Sequence, residues 1–351
     1  MRTTLRWTAN GLRLVWRRHR VAIVAISVVL LFLSGMTDHL FARSLDNFSW
    51  PGGDGLVDKV ARMESGKIFV KGLHNVWNRN VNAIPDCDAL KSVGEKGRRV
   101  LVVIKTAVRN FENREAIRET WASSATYGRY AFRFVFVLGE PESNDDNAVV
   151  EGLGEEMEGH GDLLQSQDFV DVYRTNTRKF GLSLWLAVAS PLAHTCPPHF
   201  TLLIDDDYML SIPRLAQLLD ERSEKEPLYE GYRIHSSPFR FRLHKHAVPL
   251  SAYPFSAYPP YVTAGAVLMS ATTTRKFYYA SLFVEEYNFD DIYAAILAKL
   301  MSVRPRHNEK FAFWTGGWLG EEEFGEKIAA HGYDPHRMRR VYGELKGKGD
   351  S

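Results

Sequence analysis

Cysteine is scarce in this chain: Cys87 and Cys196 are the only two in 351 residues. A fold of this size does not depend on a disulfide framework, although the two thiols could pair in an oxidising compartment. Charge imbalance is also missing. Lys and Arg number 44 against 42 Asp and Glu, a formal net charge of +2, which excludes a strongly basic nucleic-acid binder and an acidic solvating chain. There is no internal repeat, no long low-complexity tract and no glycine loop of the kind that cradles phosphates, so a P-loop phosphotransferase is disfavoured. With 45% apolar and 25% charged residues, the composition suits one large or two modest domains with a substantial core.

Acidic residues are absent from the first 37 positions, and Asp38 is the first. Arg2, Arg6, Arg13, Arg17, Arg18 and Arg20 precede the uncharged run at 21–37, VAIVAISVVLLFLSGMT. This run is at the short end of what spans a bilayer. The positive-inside rule would keep residues 1–20 cytoplasmic and place everything after 38 on the far side. A cleaved signal peptide would need a small-x-small site, for which SGMTDHLFARS offers poor candidates, and a buried core helix would rarely carry such basic flanks. The expectation is a single-pass signal anchor. The sequon Asn47-Phe48-Ser49 lies just beyond it and would be glycosylated only in that topology.

Residues 38–97 lack sustained periodicity; WPGGDG and NVWNRNVNAIPDCD read as a stem that spaces a catalytic domain from the membrane. From Arg99 the texture changes. RVLVVIKTAV, FRFVFVLG, DFVDVY and FTLLIDDD are β-branched or apolar runs that alternate with helical stretches such as NREAIRETWASS and FGLSLWLAVASPL. Such alternation predicts an α/β domain with a mainly parallel sheet flanked by helices, over 98–310, with 311–351 as a C-terminal extension. Ligands bind beyond the carboxyl ends of the strands in such sheets, which points to the loop after LVVIK and to the aspartates after TLLI.

Three consecutive carboxylates, Asp205, Asp206 and Asp207, repel one another unless something compensates. A hard divalent cation such as Mg²⁺ or Mn²⁺ reverses that cost and is completed by phosphate oxygens in nucleotide sites. Strand alternation puts Asp205 and Asp207 on one side as a D-x-D pair, and Asp206 on the other, free for a sugar or ribose hydroxyl. The bland reading, a helix cap, accounts for at most one aspartate, because Ser211 and Pro213 already start the next helix. Asp290 and Asp291 open an apolar helix, where acidic residues also simply favour the helix dipole. Arg114 and Arg118 stand i,i+4 on one helical face, ready either for a diphosphate or for a salt-bridged surface, and Trp121 on that helix reads as core. Tyr253, Tyr258 and Tyr261, spaced by prolines, could stack on an acceptor sugar or pack internally; His244 and His246 could ligate metal or lie in solvent.

Five blocks in order resemble the β1,3-glycosyltransferases, sequence family 31, which holds β1,3-galactosyl- and β1,3-N-acetylglucosaminyltransferases. They are FENREAIRETW, DFVDVYRTNTRKFGLSLWLA, TCPPHFTLLIDDDYML, YPPYVTAGAVLMS and EEYNFDDIYAAILAKL, across roughly 99–301. The resemblance implies a GT-A-like fold, a type II Golgi membrane protein and a UDP-sugar donor, UDP-galactose or a UDP-N-acetylhexosamine. It also implies Mn²⁺ as cofactor, inversion at the anomeric carbon, and a glycan acceptor on a glycoprotein or glycolipid, with no nucleic acid. Residue by residue, it implies metal binding by Asp205 and Asp207, donor contacts by Arg114, Arg118, Asp205 and Asp206, and Asp291 as general base. The sequence departs from the family pattern at Leu203 (commonly Lys), Val262 (Cys), Ala264-Gly265-Ala266 (a glycine run), Asp290 (Glu) and Ala295 (Gly). The rival from another class is a noncatalytic relative acting as a chaperone or glycan-binding module.

Overall fold

The computed structural model describes residues 19–67, 77, 80–82, 84–94, 97–143, 147–244, 246–313 and 324–347. These fall into two units, one made of 1–48 with 235–258, the other of 49–234 with 259–351.

The larger unit is organised by eleven strands: β1 (Arg98–Lys105), β2 (Thr126–Tyr127), β3 (Tyr130–Glu140), β4 (Leu163–Val170), β5 (Phe200–Asp205), β6 (Tyr208–Leu210), β7 (Tyr229–Ile234), β8 (Tyr261–Ser270), β9 (Arg306–His307), β10 (Phe311–Ala312) and β11 (Ala329–His331). Strands β1, β3, β4 and β5 are parallel neighbours, and the near-continuous apolar runs of β1, β3 and β5 are what burial on both faces demands, whereas the edge strand β4, LLQSQDFV, is more polar and buried only in its first half. Beyond β5 the order continues to β8, β7 and β9, and β8 is antiparallel to both β5 and β7. The expected mainly parallel sheet is therefore mixed. Strand direction is set by the connections, and the mostly apolar residues of β8 carry no mark of it.

Helices cover the sheet: α1 (Leu56–Glu64), α2 (Phe111–Glu119), α3 (Asn147–His160), α4 (Asn176–Val188), α5 (Ile212–Asp220), α6 (Ala271–Ser281), α7 (Asp290–Leu300) and α8 (Pro335–Gly347). Helix α4 is buried on nearly every side, as its unbroken Phe180-to-Ala187 stretch predicts. A second, three-stranded sheet pairs β6 with β11 and β11 with β10, so the C-terminal residues are woven into the strand that follows the aspartates.

The stem expectation needs correction. From Ser49 onward the chain is part of the larger unit: the Trp50 Nε1 donates to the Glu285 carbonyl at 2.8 Å, and Leu56, Val60 and Met63 of α1 are buried. Cys87 and Cys196 are joined, with Cα atoms 6.1 Å apart, which resolves a pairing the sequence left open. The reading of 38–97 as lacking periodicity passed over the amphipathic spacing of Leu56, Val60 and Met63.

In the smaller unit, residues 19–33 are helical, Ser34 and Gly35 turn with Gly35 at φ 75°, and a second short helix covers Met36–Phe41. The apolar run at 21–37 is thus interrupted at Gly35, where a Cβ would lie 2.1 Å from the Arg240 carbonyl oxygen. Among the described residues no helix is long and apolar enough to cross a membrane. Arg240 is buried, and its guanidinium donates to the carbonyls of Val248, Tyr253 and Phe255 at 2.6–2.8 Å. Tyr253 and Tyr258 are buried in this unit and Tyr261 in β8, so the tyrosines pack internally rather than offering a stacking loop. His244 and His246 are exposed and lie against each other.

The disulfide closes a separation of 109 residues. Cys87→Ser should lower stability by about 2–4 kcal/mol, chiefly by freeing the unfolded chain. The readout is the guanidinium midpoint with and without reductant: the variant should match the reduced wild type, and an unchanged midpoint in the oxidised comparison would show the bridge to be dispensable.

Candidate active site

The carboxyl ends of β1 and β5 meet in register, with Lys105 paired to Asp205. Lys105 is only 6% exposed, and its ammonium lies 3.0 Å from Asp205 Oδ1 and 2.7 Å from Asp290 Oδ2. Burial alone would push its pKa down; the two carboxylates outweigh that and hold it above the ordinary lysine value. One buried cation therefore ties the aspartate triplet to the first turn of α7. The family's lysine is missing at Leu203, and Lys105 delivers a positive charge to the triplet from the neighbouring strand.

The three aspartates divide by role. Asp205 keeps 36% of its side-chain surface open. Its setting in dense protein nevertheless raises its carboxyl to about 6; Lys105 opposes this, while the charges of Asp290 and Asp207 add to it. Asp206 is not free for a ligand hydroxyl as the alternation suggested: it is buried, and its Oδ2 accepts from Thr106 Oγ1 at 2.5 Å and Asn110 Nδ2 at 2.8 Å. Burial raises its pKa and those two bonds oppose the rise. Asp206 thereby pins the β1 loop to the end of β5.

Asp207 Oδ2 lies 2.9 Å from His331 Nε2, whose strand β11 is held there by pairing with β6. That bond, ahead of the opposing effect of burial, raises the histidine's pKa. The other oxygen, Asp207 Oδ1, is buried without a hydrogen-bond partner. An orphaned carboxylate oxygen beside a second raised carboxyl is a place a divalent cation suits, because the ion supplies the missing partner. Among the described residues no three His, Cys, Asp or Glu side chains group closely enough to hold a metal unaided, so a ligand's own oxygens would have to complete the shell.

Asp291 sits at the start of α7, where its Oδ1 accepts from the Ile292 N–H at 2.7 Å. Burial first, and then the charge on adjacent Asp290, push its carboxyl up to about 7, the range a general base at neutral pH requires. Asp290 does more than favour a helix dipole, since it is the carboxylate that Lys105 grips.

The arginines are placed differently from the expectation. Arg114 is wholly buried; its guanidinium donates to both oxygens of Glu156, to the Ala107 carbonyl at 2.7 Å and to the Val108 carbonyl at 3.1 Å. It has no donor left over for a diphosphate and instead shapes the loop that Asp206 pins. Arg118 binds Glu156 at 2.7 Å and Asp162 at 2.9 Å. Burial alone would raise Glu156, but the two arginines hold it below the usual carboxylate range. Trp121 is core, as its position implied, and donates to the Tyr208 carbonyl.

Sequence reasoning passed over Lys105, Lys179, Tyr208 and His331. Lys179, buried on α4, bonds Asp171 at 2.5 Å and the Thr106 carbonyl at 2.7 Å. A lysine ending an apolar strand run and another inside an apolar helix were the available signals, because charge in such places demands a partner. Tyr208 lies over Gly265, where a Cβ would fall 2.1 Å from the phenolic oxygen; that glycine alone survives from the family's run. Burial, reinforced by Asp205 and Asp207, keeps the phenol protonated.

Strand-end carboxylates and a raised carboxyl opening a nearby helix make up the candidate active site. Residues 112–309 match the family model described as galactosyltransferase, and the chain belongs to that family of β1,3-hexosyltransferases. Over 329 residues it is 31% identical to β-1,3-galactosyltransferase bre-5 of Caenorhabditis elegans, covering 93% of this chain and 94% of that protein. Over 253 residues it is 34% identical to β-1,3-galactosyltransferase brn of Drosophila melanogaster (71% and 74%). Over 268 residues it is 32% identical to the human acetylgalactosaminyl-O-glycosyl-glycoprotein β-1,3-N-acetylglucosaminyltransferase (73% and 68%).

Lys105→Met should cost about 3–5 kcal/mol, the range for leaving buried charges without their partner. Urea denaturation would read it, beside Lys299→Met on the exposed face of α7, which should stay within about 0.5 kcal/mol of wild type. Equal, small effects from both would mean that Asp205 and Asp290 do not need the ammonium.

Proposed function

We propose that this chain is an inverting β1,3-hexosyltransferase of GT-A type that moves galactose or an N-acetylhexosamine from a UDP-sugar to a hydroxyl of a glycan on a glycoprotein or glycolipid. The observation that carries the reading is the pairing of two environments through Lys105: a carboxylate oxygen of Asp207 that is buried and unpartnered, and an Asp291 carboxyl pushed up to about 7. The first suits metal and diphosphate, the second a proton. A noncatalytic binding module would need the former only.

In this reading Asp205 and Asp207 would hold a divalent cation such as Mn²⁺, completed by the ligand's own oxygens, while His331 orients the Asp207 carboxylate. Once bound, that ion would supply charge neutralisation for the departing diphosphate. Asp291 accepts the proton of the acceptor hydroxyl; the hydroxyl oxygen bonds the anomeric carbon as its bond to the β-phosphate oxygen breaks, and UDP leaves with that electron pair. Lys105 and Asp290 fix the start of α7, so that the base and the triplet keep their relation. Thr106, Asn110 and Arg114 keep the β1 loop in shape through Asp206 and Glu156.

The arginine-flanked apolar run, the exposed sequon at Asn47 and the disulfide support a type II protein of the Golgi membrane. Its N-terminal tail would be cytoplasmic, with 21–33 at the centre of the anchor and everything after residue 38, Asn47 included, luminal.

Two variants separate the halves of the site. Asp291→Asn keeps size and hydrogen-bonding reach but cannot take a proton, so transfer should fall about 100- to 10,000-fold while Mn²⁺-dependent UDP binding persists. The wild-type rate should climb with pH through about 7 as the carboxylate forms and then level off, and the variant should lose that rise. Wild-type turnover from Asp291→Asn would remove the base from the proposal.

Asp207→Ala takes away the orphaned oxygen and the partner of His331 together. Titration calorimetry with UDP should then give no metal-dependent heat, and UDP bound as tightly with Mn²⁺ as in wild type would place the metal elsewhere.

A further inference from the structure

In the smaller unit the segment 239–243 is built inside out. Phe239, Phe241 and Leu243 are 48%, 42% and 69% exposed, while the alternate residues Arg240 and Arg242 face inward. Arg240 is 3% exposed and spends its guanidinium on backbone carbonyls. Arg242 pairs with buried Asp38 at 2.6 Å and stacks on the Phe32 ring at 4.0 Å; its Nε donates to the Phe32 carbonyl and its backbone N–H to the Leu33 carbonyl. A water-facing segment would reverse this pattern, because exposing three large apolar side chains while burying one cation and partly covering a second costs free energy on both counts.

The same unit carries most of the remaining exposed apolar side chains among the described residues. Residues 19–33 expose Val21, Ile26 and Leu30 by half or more, and Leu40 and Phe41 are each 77% exposed. Among the described residues of the larger unit, exposed large apolar side chains occur only as scattered positions such as Val57, Tyr127 and Val150. The uncharged helical stretch 21–33 rises about 20 Å at 1.5 Å per residue, short of a hydrocarbon core of roughly 30 Å. A helix shorter than its bilayer needs flanking apolar groups that enter the interface or a locally thinned membrane.

We propose that Phe239, Phe241 and Leu243 insert into the interfacial layer of the bilayer, extending the apolar end of the 19–33 helix to which Arg242 fastens them. The bilayer is the occupant because the patch is fastened directly to the last turn of an apolar helix that no protein surface covers among the described residues. The exposed His244 and His246 beside it suit the polar headgroup level. This inference rests on the anchor reading given above.

Both cysteines are bridged, so a cysteine introduced on the surface can be labelled alone. The full chain carrying Phe241→Cys, Val24→Cys or Tyr127→Cys would be labelled with a nitrobenzoxadiazole dye and reconstituted into phosphatidylcholine–phosphatidylserine vesicles. Lipids with a nitroxide at the headgroup or along the acyl chain then act as quenchers. The label at 241 should lose most of its emission to the shallow quencher, the label at 24 to the deep one, and the label at 127 to neither. Quenching at 24 with none at 241 would overturn the inference and leave the anchor standing, with a protein partner taking the patch. No quenching at 24 would overturn the anchor reading and this inference together.

Discussion

Everything at the carboxyl end of this sheet depends on one buried ammonium. Lys105 sits where two parallel strands and a helix start converge, and its pairing with Asp205 and Asp290 lets five aspartates be kept close together. Without it, Asp205 and Asp290 would relieve their repulsion by taking up protons or moving apart. With it, charge becomes a means of positioning: the triplet, anchored to β5, and Asp291, anchored to α7, keep a fixed relation although 86 positions of sequence separate Asp205 from Asp291. A salt bridge of this kind adds little net stability. It fixes one arrangement out of several.

Around that pair the structure layers further buried ion pairs, each securing a loop rather than reaching outward. Arg114 with Glu156 shapes residues 106–108, Lys179 with Asp171 holds the Thr106 carbonyl, and Asp206 takes the Thr106 and Asn110 side chains. Three independent contacts thus converge on Thr106, the first residue after β1. A site with the proposed role of binding a diphosphate and excluding a competing water gains from a wall that does not have to be organised at the moment of reaction.

Much of this was legible beforehand, and what was not has identifiable physical causes. The runs at β1, β3 and β5 announce buried strands, and the triplet and the Asp290–Asp291 pair stand out because carboxylates at such places demand compensation. The direction of β8 was hidden, since an antiparallel strand inside a covered sheet has the same apolar composition as a parallel one. Arg114 misled because i,i+4 spacing shows which side chains share a face but not what covers that face; Glu156, 42 residues away, takes what a diphosphate might have. The residues at 49–64 looked like a stem because α1 is short and its surroundings rich in turns, whereas its three buried side chains depend on a surface built from distant sequence. His331 could not be found from sequence at all: a lone histidine in a loop-rich tail gains meaning only from the strand pairing that sets it beside Asp207.

That last pairing also fixes when the protein becomes competent. Strand β11 follows every strand of the main sheet in the chain, so Asp207 acquires its neighbour only after that sheet has been synthesised. Domains generally fold as units, so the aspartate cluster gains its imidazole as the scaffold consolidates. Completion of the site is therefore tied to completion of the core, because Phe324, Ile328, Ala329, Tyr333, Met338 and Val341 around β11 pack into the same apolar cluster as β1, β3 and β5.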